Sequence, residues 1–318
     1  MALSDLQVFQ ESAQTMMSEM QDQQIDKFNG ASAGGIFLRS ASHSGDFSDM
    51  AMWAKIDGLV RRRNAYGSGA VTPKNLNQLL DTSVKVAAGT PPVNIDPGML
   101  RWIQKAPEEA GATIGAQLAE DSLADMLNTG LKAYVAAVGN VAAVTFDGTA
   151  ATATLAALNS GAGKFGDRSQ SIVSWIIHSK VAFDVYGESL ANSNRLFTFG
   201  NVRVMEDGFG RPFVITDAPE LLTTGSPDNY HTCGLTSGAI VVDQNNDFDS
   251  NTQTNNGDEN IARTYQAEWS YNVGLKGFAW DKANGGKSPN DTALGTAANW
   301  DKYATSHKDV AGVLVNTL

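Results

Sequence analysis

The sequence predicts an α+β protein built around one very long helix and one very long strand. Three features carry that prediction. Between Pro107 and Gly139, the apolar residues Ile114, Leu118, Leu123, Leu127, Leu131, Val135 and Val138 recur close to a helical period. From Arg263 to Leu275, Tyr265, Ala267, Trp269, Tyr271, Val273 and Leu275 alternate with polar residues or glycine, the period of a half-buried strand. Short apolar runs, Ile172 to Ile177 and Ala239 to Val242, punctuate a region of alternating helix and strand patterns.

Taken in order, Ser4 and Gln7 form a capping-box pattern. Leu6, Phe9, Ala13, Met16 and Met20 follow at spacings of three and four, a narrow apolar seam on a polar helix. Two readings fit this seam: a helix packed on its own domain, or an arm lying on a neighbouring subunit. Residues 30–49 are small and polar without a sustained period. Met52 to Val60 and Ala70 to Val71 flank a basic, glycine-rich middle, where Gly67 and Gly69 supply turn geometry for a hairpin. Thr72 and Pro73 have the form of a helix cap with proline at the first position. Pro91, Pro92 and Pro97 break regular structure. Residues 31–95 therefore read as an extended excursion.

Pro107, Glu108 and Glu109 mark the start of the long helix, because proline fits the first turn and carboxylates suit its positive end. Gly139 and Asn140 stop it. At ~1.5 Å per residue it forms a rod of roughly 48 Å, a spine for other elements. Gly111, Gly115 and Gly130 weaken it, each by up to ~1 kcal/mol relative to alanine. From 141 to 260 the pattern alternates. Ser179 caps a helix with Val181, Val185 and Leu190 on one side. Val202 to Met205 and Phe213 to Ile215 are strands joined through Gly208, Phe209 and Gly210, and 243–260 is a polar loop. Asn284 to Pro289 form a turn, Trp300 lies in a short helix-like stretch, and Val310 to Val315 is a last strand.

Composition narrows the function. The 318 residues suffice for roughly two domains, and 42% apolar with 18% charged residues supplies a core and argues against global disorder. A net charge of −11 argues against a nucleic-acid reader. A lone cysteine, Cys233, excludes a disulfide framework and reads as a small packed residue. No run approaches ~18 apolar residues, and the first residues lack a secretory pattern, so a soluble protein of a reducing compartment is expected.

Chemical motifs are weak. Gly30 to Gly34 matches the G-x-S-x-G elbow around Ser32, but a polar helical tail precedes it and no helix follows. Asp243, Asn245, Asp247, Asp249 and Asn251 resemble a calcium loop, but Phe248 and Thr254 stand where glycine and glutamate are required. Gly285 to Ser288 lacks the first glycine of a phosphate loop, Asp281 standing in its place. Asp217 reads as a turn former and His178 as a structural histidine ending a strand. His43, His231 and His307 lack metal-ligand spacing. No cofactor or metal site is expected. Arg61, Arg62 and Arg63 form the one dense basic run, better suited to carboxylates of this chain or a neighbour than to nucleic acid.

Four segments add a resemblance: SIVSWIIHSKVAFDVYGESL at 171–190, FGNVRVMEDGFGRPFVITDAPEL at 199–221, TYQAEWSYNVGLKGFAWD at 264–281 and NWDKYATSHKDVAGVLVNTL at 299–318. In this order, behind a helical arm, an excursion and a spine helix, they resemble the major capsid proteins of tailed bacteriophages of siphophage type, with the Hong Kong 97 fold. The resemblance implies an N-terminal arm (1–30), an extended E-loop (31–95), a peripheral domain holding the spine helix and long strand (96–145 and 261–300), and an axial α/β domain (146–260 and 301–318). It implies a non-enzymatic virion protein, assembled in the bacterial host cytoplasm, whose hexamers and pentamers form an icosahedral shell around double-stranded DNA. Implied partners are further copies of itself and a portal protein, with separate scaffolding and decoration proteins as candidates. Packaged DNA is held without specific binding, and no membrane or cofactor is implied. Leu6, Phe9, Met16 and Met20 of the seam, with Trp53, Arg61, Arg62, Arg63 and Tyr66 of the excursion, are the expected subunit-interface residues. Residues 1–30 leave no room for a fused scaffolding segment. No lysine–asparagine cross-linking pair is matched, so stabilisation is expected to be non-covalent. Two rivals stand beside this reading: an encapsulin-like nanocompartment and a small hydrolase using Ser32.

Overall fold

The computed structural model describes residues 2–54, 56, 58–190, 205–206, 210–256 and 261–318. Helix α1 (Ala2–Ala31) runs into β1 (Ile36–Ser40) and a hairpin of β2 (Phe47–Trp53) and β3 (Gln78–Gly89). Then come β4 (Val93–Asn94), α2 (Pro97–Lys105) and α3 (Pro107–Gly139). The middle of the chain holds β5 (Thr145–Gly148), α4 (Leu155–Gly163), β6 (Ile172–Ile177), α5 (Ser179–Leu190), β7 (Met205–Glu206), β8 (Pro212–Ile215), β9 (Leu222–Thr223) and β10 (Asn229–Thr236). It closes with β11 (Ile240–Gln244), β12 (Asp249–Asn255), β13 (Ala262–Leu275), β14 (Phe278–Trp280), α6 (Asp291–Leu294), β15 (Trp300–Lys302) and β16 (Gly312–Thr317).

Among the described residues these strands form two sheets. A nine-stranded sheet runs β1-β11-β13-β14-β15, with β12, β3 and β4 also on β13 and β2 on β3. A seven-stranded sheet runs β5-β16-β10-β6-β8-β7, with β9 on β10. The pairs β1–β11, β5–β16 and β6–β8 are parallel. No described helix is long and apolar enough to cross a membrane.

Helix α3 connects everything. Its first half packs on α1, its middle lies on the nine-stranded sheet, and its end reaches the seven-stranded one. In the middle, Thr129 Oγ1 and the Tyr271 hydroxyl are 2.9 Å apart, and Tyr271 donates to Asp125 at 2.6 Å. Near the end, the fully buried Tyr134 donates to the carbonyls of Gly234 and Val313, 3.0 and 3.1 Å away. Its glycines mark close approaches. A Cβ at Gly111 would stand 2.5 Å from the Phe9 carbonyl oxygen, and one at Gly115 would collide with that of Ala13. A Cβ at Gly130 would meet Ile240 at 2.9 Å. The helix propensity these glycines forgo is offset by backbone-close packing.

Several sequence expectations are corrected. Helix α1 begins at Ala2, so Ser4 lies inside it and not at its start. Its buried seam is Leu6, Phe9, Ala13, Met17, Gln21 and Ile25, while Met16 and Met20 are half-buried beside it. Gln21 is admitted by hydrogen bonds: it donates to Ser122 at 2.9 Å and accepts from Gln244 at 2.7 Å. Ile36 and Leu38 of β1 are buried core, so the excursion does not begin at 31. No helix follows Thr72, and Pro97 starts α2 at its first turn instead of breaking the chain. The polar 243–260 segment contains β12, paired along its length with β13. Strands β11 and β12 therefore join the nine-stranded sheet, outside the 146–260 unit read from sequence. Strand β13 is half-buried as expected through Trp269, but beyond it Ser270 and Asn272 are covered too, by Asn245, which donates to both. Trp300 opens a strand, and the last strand starts at Gly312. The expected strand start at Val202 and the turn at Gly208 and Phe209 lie outside the described residues.

Where β6 meets α5, the helix is capped from a distance. Asp217 Oδ1 accepts from the Ser179 N–H at 3.1 Å, and His178 Nδ1 accepts from the Lys180 N–H at 3.1 Å. Ser179 itself is the first helical residue, so the carboxylate, read as a turn former, does the capping. The hydrogen bonds to Ser179, with the nearby His178, hold the Asp217 carboxyl below its ordinary range.

Three substitutions test this packing in the unassembled subunit. Gly115→Val is expected to cost about 1–3 kcal/mol in chemical denaturation, because a backbone carbonyl must move. Gly163→Ala, with open space around the added Cβ, is expected to be neutral or stabilising by up to ~1 kcal/mol. Asp217→Ala should lower stability by about 1 kcal/mol at neutral pH. A depressed carboxyl pKa contributes above its unfolded value and is lost as pH falls through the folded one, so the gap to the parent should close in acid, below the ordinary carboxylate range of ~3.9. Thermal unfolding at both pH values reads this directly.

Candidate assembly surface

The β2–β3 hairpin leaves the body of the molecule. Its register runs from Phe47 opposite Val84 to Trp53 opposite Gln78. Strand β3 pairs with β13 only from Val84 to Gly89, so its first half has β2 as its sole strand partner. Beyond the strands, residues 58–77 have no helix or strand, and all are exposed. Gly67, Gly69 and Pro73 disfavour regular structure there. A turn at Asn64 is closed by its side chain, which accepts from the Tyr66 N–H at 3.0 Å.

This segment is apolar as well as exposed. Of sixteen large apolar side chains that are exposed among the described residues, nine lie between Met50 and Leu80. Tyr66 is 99% exposed, Val60 94%, Leu59 70% and Trp53 67%. Such a concentration makes the segment a candidate interaction surface, unlike scattered single residues. Arg61, Arg62 and Arg63 stand in the same stretch, fully in solvent, without an ion-pair partner among the described residues.

Opposite charge is exposed on α1 and α3: Glu11, Glu19, Asp22, Asp26, Glu108, Glu109, Glu120 and Asp121, against Lys27 of α1 and Arg101 and Lys105 of the adjoining α2. Beside them runs an apolar groove of about 300 Å³, walled by Pro91, Val93, Met99, Trp102, Ile114 and Tyr265. No sequence period reveals this groove, because its walls come from four separated segments.

The expected interface residues thus divide. Trp53, Arg61, Arg62, Arg63 and Tyr66 are exposed on the hairpin. Leu6 and Phe9 are buried in the chain's own core, Phe9 edge-on to Tyr265 with ring centres 5.6 Å apart. Of the two readings of the seam, this conformation shows the helix packed on its own domain. Met50, Leu59, Val60, Val71 and Leu76 join the exposed set. Their signal in the sequence is apolar residues inside a stretch with no period to bury them.

The other motifs are structural. Ser32 is fully buried, and its hydroxyl donates to the carbonyls of Asn29 and Ile36, both at 3.2 Å. It is not a nucleophile exposed on an elbow. Asp243 pairs with Arg39, and with His43 Nε2 at 2.9 Å. Asp247 accepts from the Ser270 N–H at 2.7 Å. Among the described residues no group of His, Cys, Asp and Glu is arranged to hold a metal ion. Gly285 and Gly286 wrap Trp280, whose Nε1 donates to the Gly286 carbonyl at 3.0 Å. His231 lies 2.8 Å from both Thr223 and Asn316. Burial in an apolar setting pushes the Cys233 thiol well up, so it stays protonated.

A search of curated protein sequences found no match. Among solved structures, the chain is similar to the cyanophage Pam1 capsid asymmetric unit, at 13% identity and TM-score 0.49, covering 73% of this chain and 81% of that one. It is also similar to the acid-stable capsid of Helicobacter pylori bacteriophage KHP30, at 10% identity and TM-score 0.48, covering 91% and 88%. The capsid of Ralstonia phage GP4 follows, at 11% identity and TM-score 0.46, covering 76% and 83%. The family model Gp13-like, described as major capsid protein 13-like, matches residues 5–314, from the arm helix through the hairpin and both sheets to the last strand. With that span, the chain belongs to the Gp13-like family of major capsid proteins.

Proposed function

We propose that this capsid-shell protein closes an icosahedral shell around phage DNA by laying its hairpin on a neighbouring copy. In this reading the segment from Trp53 to Leu76 crosses the neighbour's α1–α3 face. Arg61, Arg62 and Arg63 meet its acidic side chains, and Leu59, Val60 and Tyr66 enter its apolar groove. The observation that carries the reading is the apolar and basic stretch at 58–77, exposed at every residue. Burying three such side chains contributes about 1.5–3 kcal/mol each, and closed symmetry repeats that contribution at every contact.

The two sheets supply the remaining assignments. The nine-stranded sheet with α1, α2 and α3 is the peripheral domain. The seven-stranded sheet with α4 and α5 is the axial domain, meeting its equivalents at the centres of hexamers and pentamers. The hairpin beyond Val84 is the E-loop. The family description supports a virus shell over a cargo compartment. The chain acts structurally, without catalysis. Its net charge of −11 suits an interior that does not bind packaged DNA. A portal and separate scaffolding or decoration proteins complete the particle.

The test is reversal of Arg61, Arg62 and Arg63 to glutamate together. The parent is expected to give closed shells or capsomers by negative-stain microscopy and light scattering, less efficiently as salt screens the contacts. The variant should keep the parent's circular dichroism and remain as small species. Shells of parental yield from the variant would refute the grip.

A further inference from the structure

We infer that Lys282, Lys287 and Tyr303 are positioning residues that seat the root of the β2–β3 hairpin and set the angle at which it leaves the body. The inference builds on the hairpin's role as the assembly grip. The hairpin is a cantilever: from Gln78 to Ser83, β3 has no ladder hydrogen bonds except those to β2, and β14 packs alongside without pairing to it. What supports it comes from one stretch, residues 277–303. On one face, Lys282 Nζ is 2.6 Å from Asp49 Oδ2 and 5.2 Å from the centre of the Phe47 ring. Asp49 is itself steadied by the Thr82 hydroxyl, which donates to Oδ1 at 2.8 Å. Lys287 Nζ lies 3.0 Å from Asp46, one residue before β2.

The other face rests on Tyr303. Strand alternation puts Met50, Met52 and Asp81 on the side opposite Asp49 and Thr82. There the Tyr303 hydroxyl accepts from the Gly277 N–H at 3.2 Å and donates to the Met52 sulfur 3.7 Å away, on the same cleft as Asp81. That cleft, of about 230 Å³, lies beneath the root and is lined also by Ser48, Met50 and Lys276. The root is therefore held on both faces, with open space below it.

The chemistry of this seat is that of an adjustable support. The four charged side chains are 41–72% exposed. Exposed pairs of this kind change an equilibrium by at most about fivefold and weaken with salt. A fixed hairpin root would be packed with apolar side chains, as α1 is on α3. A hairpin that must meet neighbours at both hexamer and pentamer angles needs a defined resting angle that yields.

The experiment measures that angle in the unassembled full-length subunit. Spin labels are attached at Ala51→Cys on β2 and Gly98→Cys on α2, both exposed, while Cys233 is buried. Pulsed electron resonance then gives the distance distribution between them. Lys282→Met with Lys287→Met is expected to broaden it about twofold, and high salt should move the parent the same way. Tyr303→Phe should broaden it alone. Exchanging the charges, Asp49→Lys with Lys282→Asp, should restore the parental width where either reversal alone does not. Thermal unfolding within about 2 °C of the parent's would separate loss of the seat from loss of the fold. An unchanged distribution in the double variant, or a charge exchange as broad as its single reversals, overturns the seat. Because the readout needs no shell, failure of the parent to assemble would count against the grip alone.

Discussion

The structure depends on how closely α1 approaches α3. Backbone carbonyls of Phe9 and Ala13 lie where side chains would stand at Gly111 and Gly115. Two helices that touch at backbone distance place every later side chain of the seam, so Met17, Gln21 and Ile25 are buried in turn. Gln21 then links three parts at once, through Ser122 on α3 and Gln244 on β11. At the end of α1, Asn29 exchanges two hydrogen bonds with the backbone of Leu38, at 2.7 and 2.9 Å, and so delivers β1 beside β11. The opposite side of α3 carries the rest of the core. Widening the helix pair by one methyl group would therefore disturb a layer, not a single contact.

That packed body contrasts with what it projects. The chain has enough apolar residues for a dense core, and it leaves nine large ones together in solvent between Met50 and Leu80. A protein that acts alone would bury or replace them. In the proposed shell contact the same residues are a surface completed by assembly, with the exposed carboxylates of α1 and α3 as their receptor. On that proposal, body, root and tip divide the work: the first holds the receptor, the second sets the reach, and the third supplies the adhesion.

Much of this was legible residue by residue. Helix α3 runs from Pro107 to Gly139 as its start, period and stop signals require. Strand β6 spans the six residues of its apolar run. The exposure of Arg61 to Arg63 follows from basic residues between glycines with no period to bury them. Misreadings arose where a distant partner decided the outcome. Strand β12 is wholly polar and is a strand because β13 offers it an edge. The seam of α1 passes through Gln21, which enters the core because Ser122 and Gln244 await it. Pro97 opens a helix or ends a strand by the same local chemistry.

The sequence by itself determined the elements whose side chains repeat with one period, and it determined the absence of any convincing catalytic or metal motif. Local periodicity encodes a single buried face, and three or four turns of helix or a dozen residues of strand suffice to show it. Tertiary structure alone decided what covers the second face. It buried Ser270 and Asn272 on the polar side of β13, turned Gly111 and Gly115 from weak helix formers into contact points, and placed Leu6 and Phe9 inside the subunit while leaving Trp53 and Tyr66 outside. These outcomes turn on pairs of residues some tens to hundreds of positions apart, and a pattern read along the chain contains no distance between them.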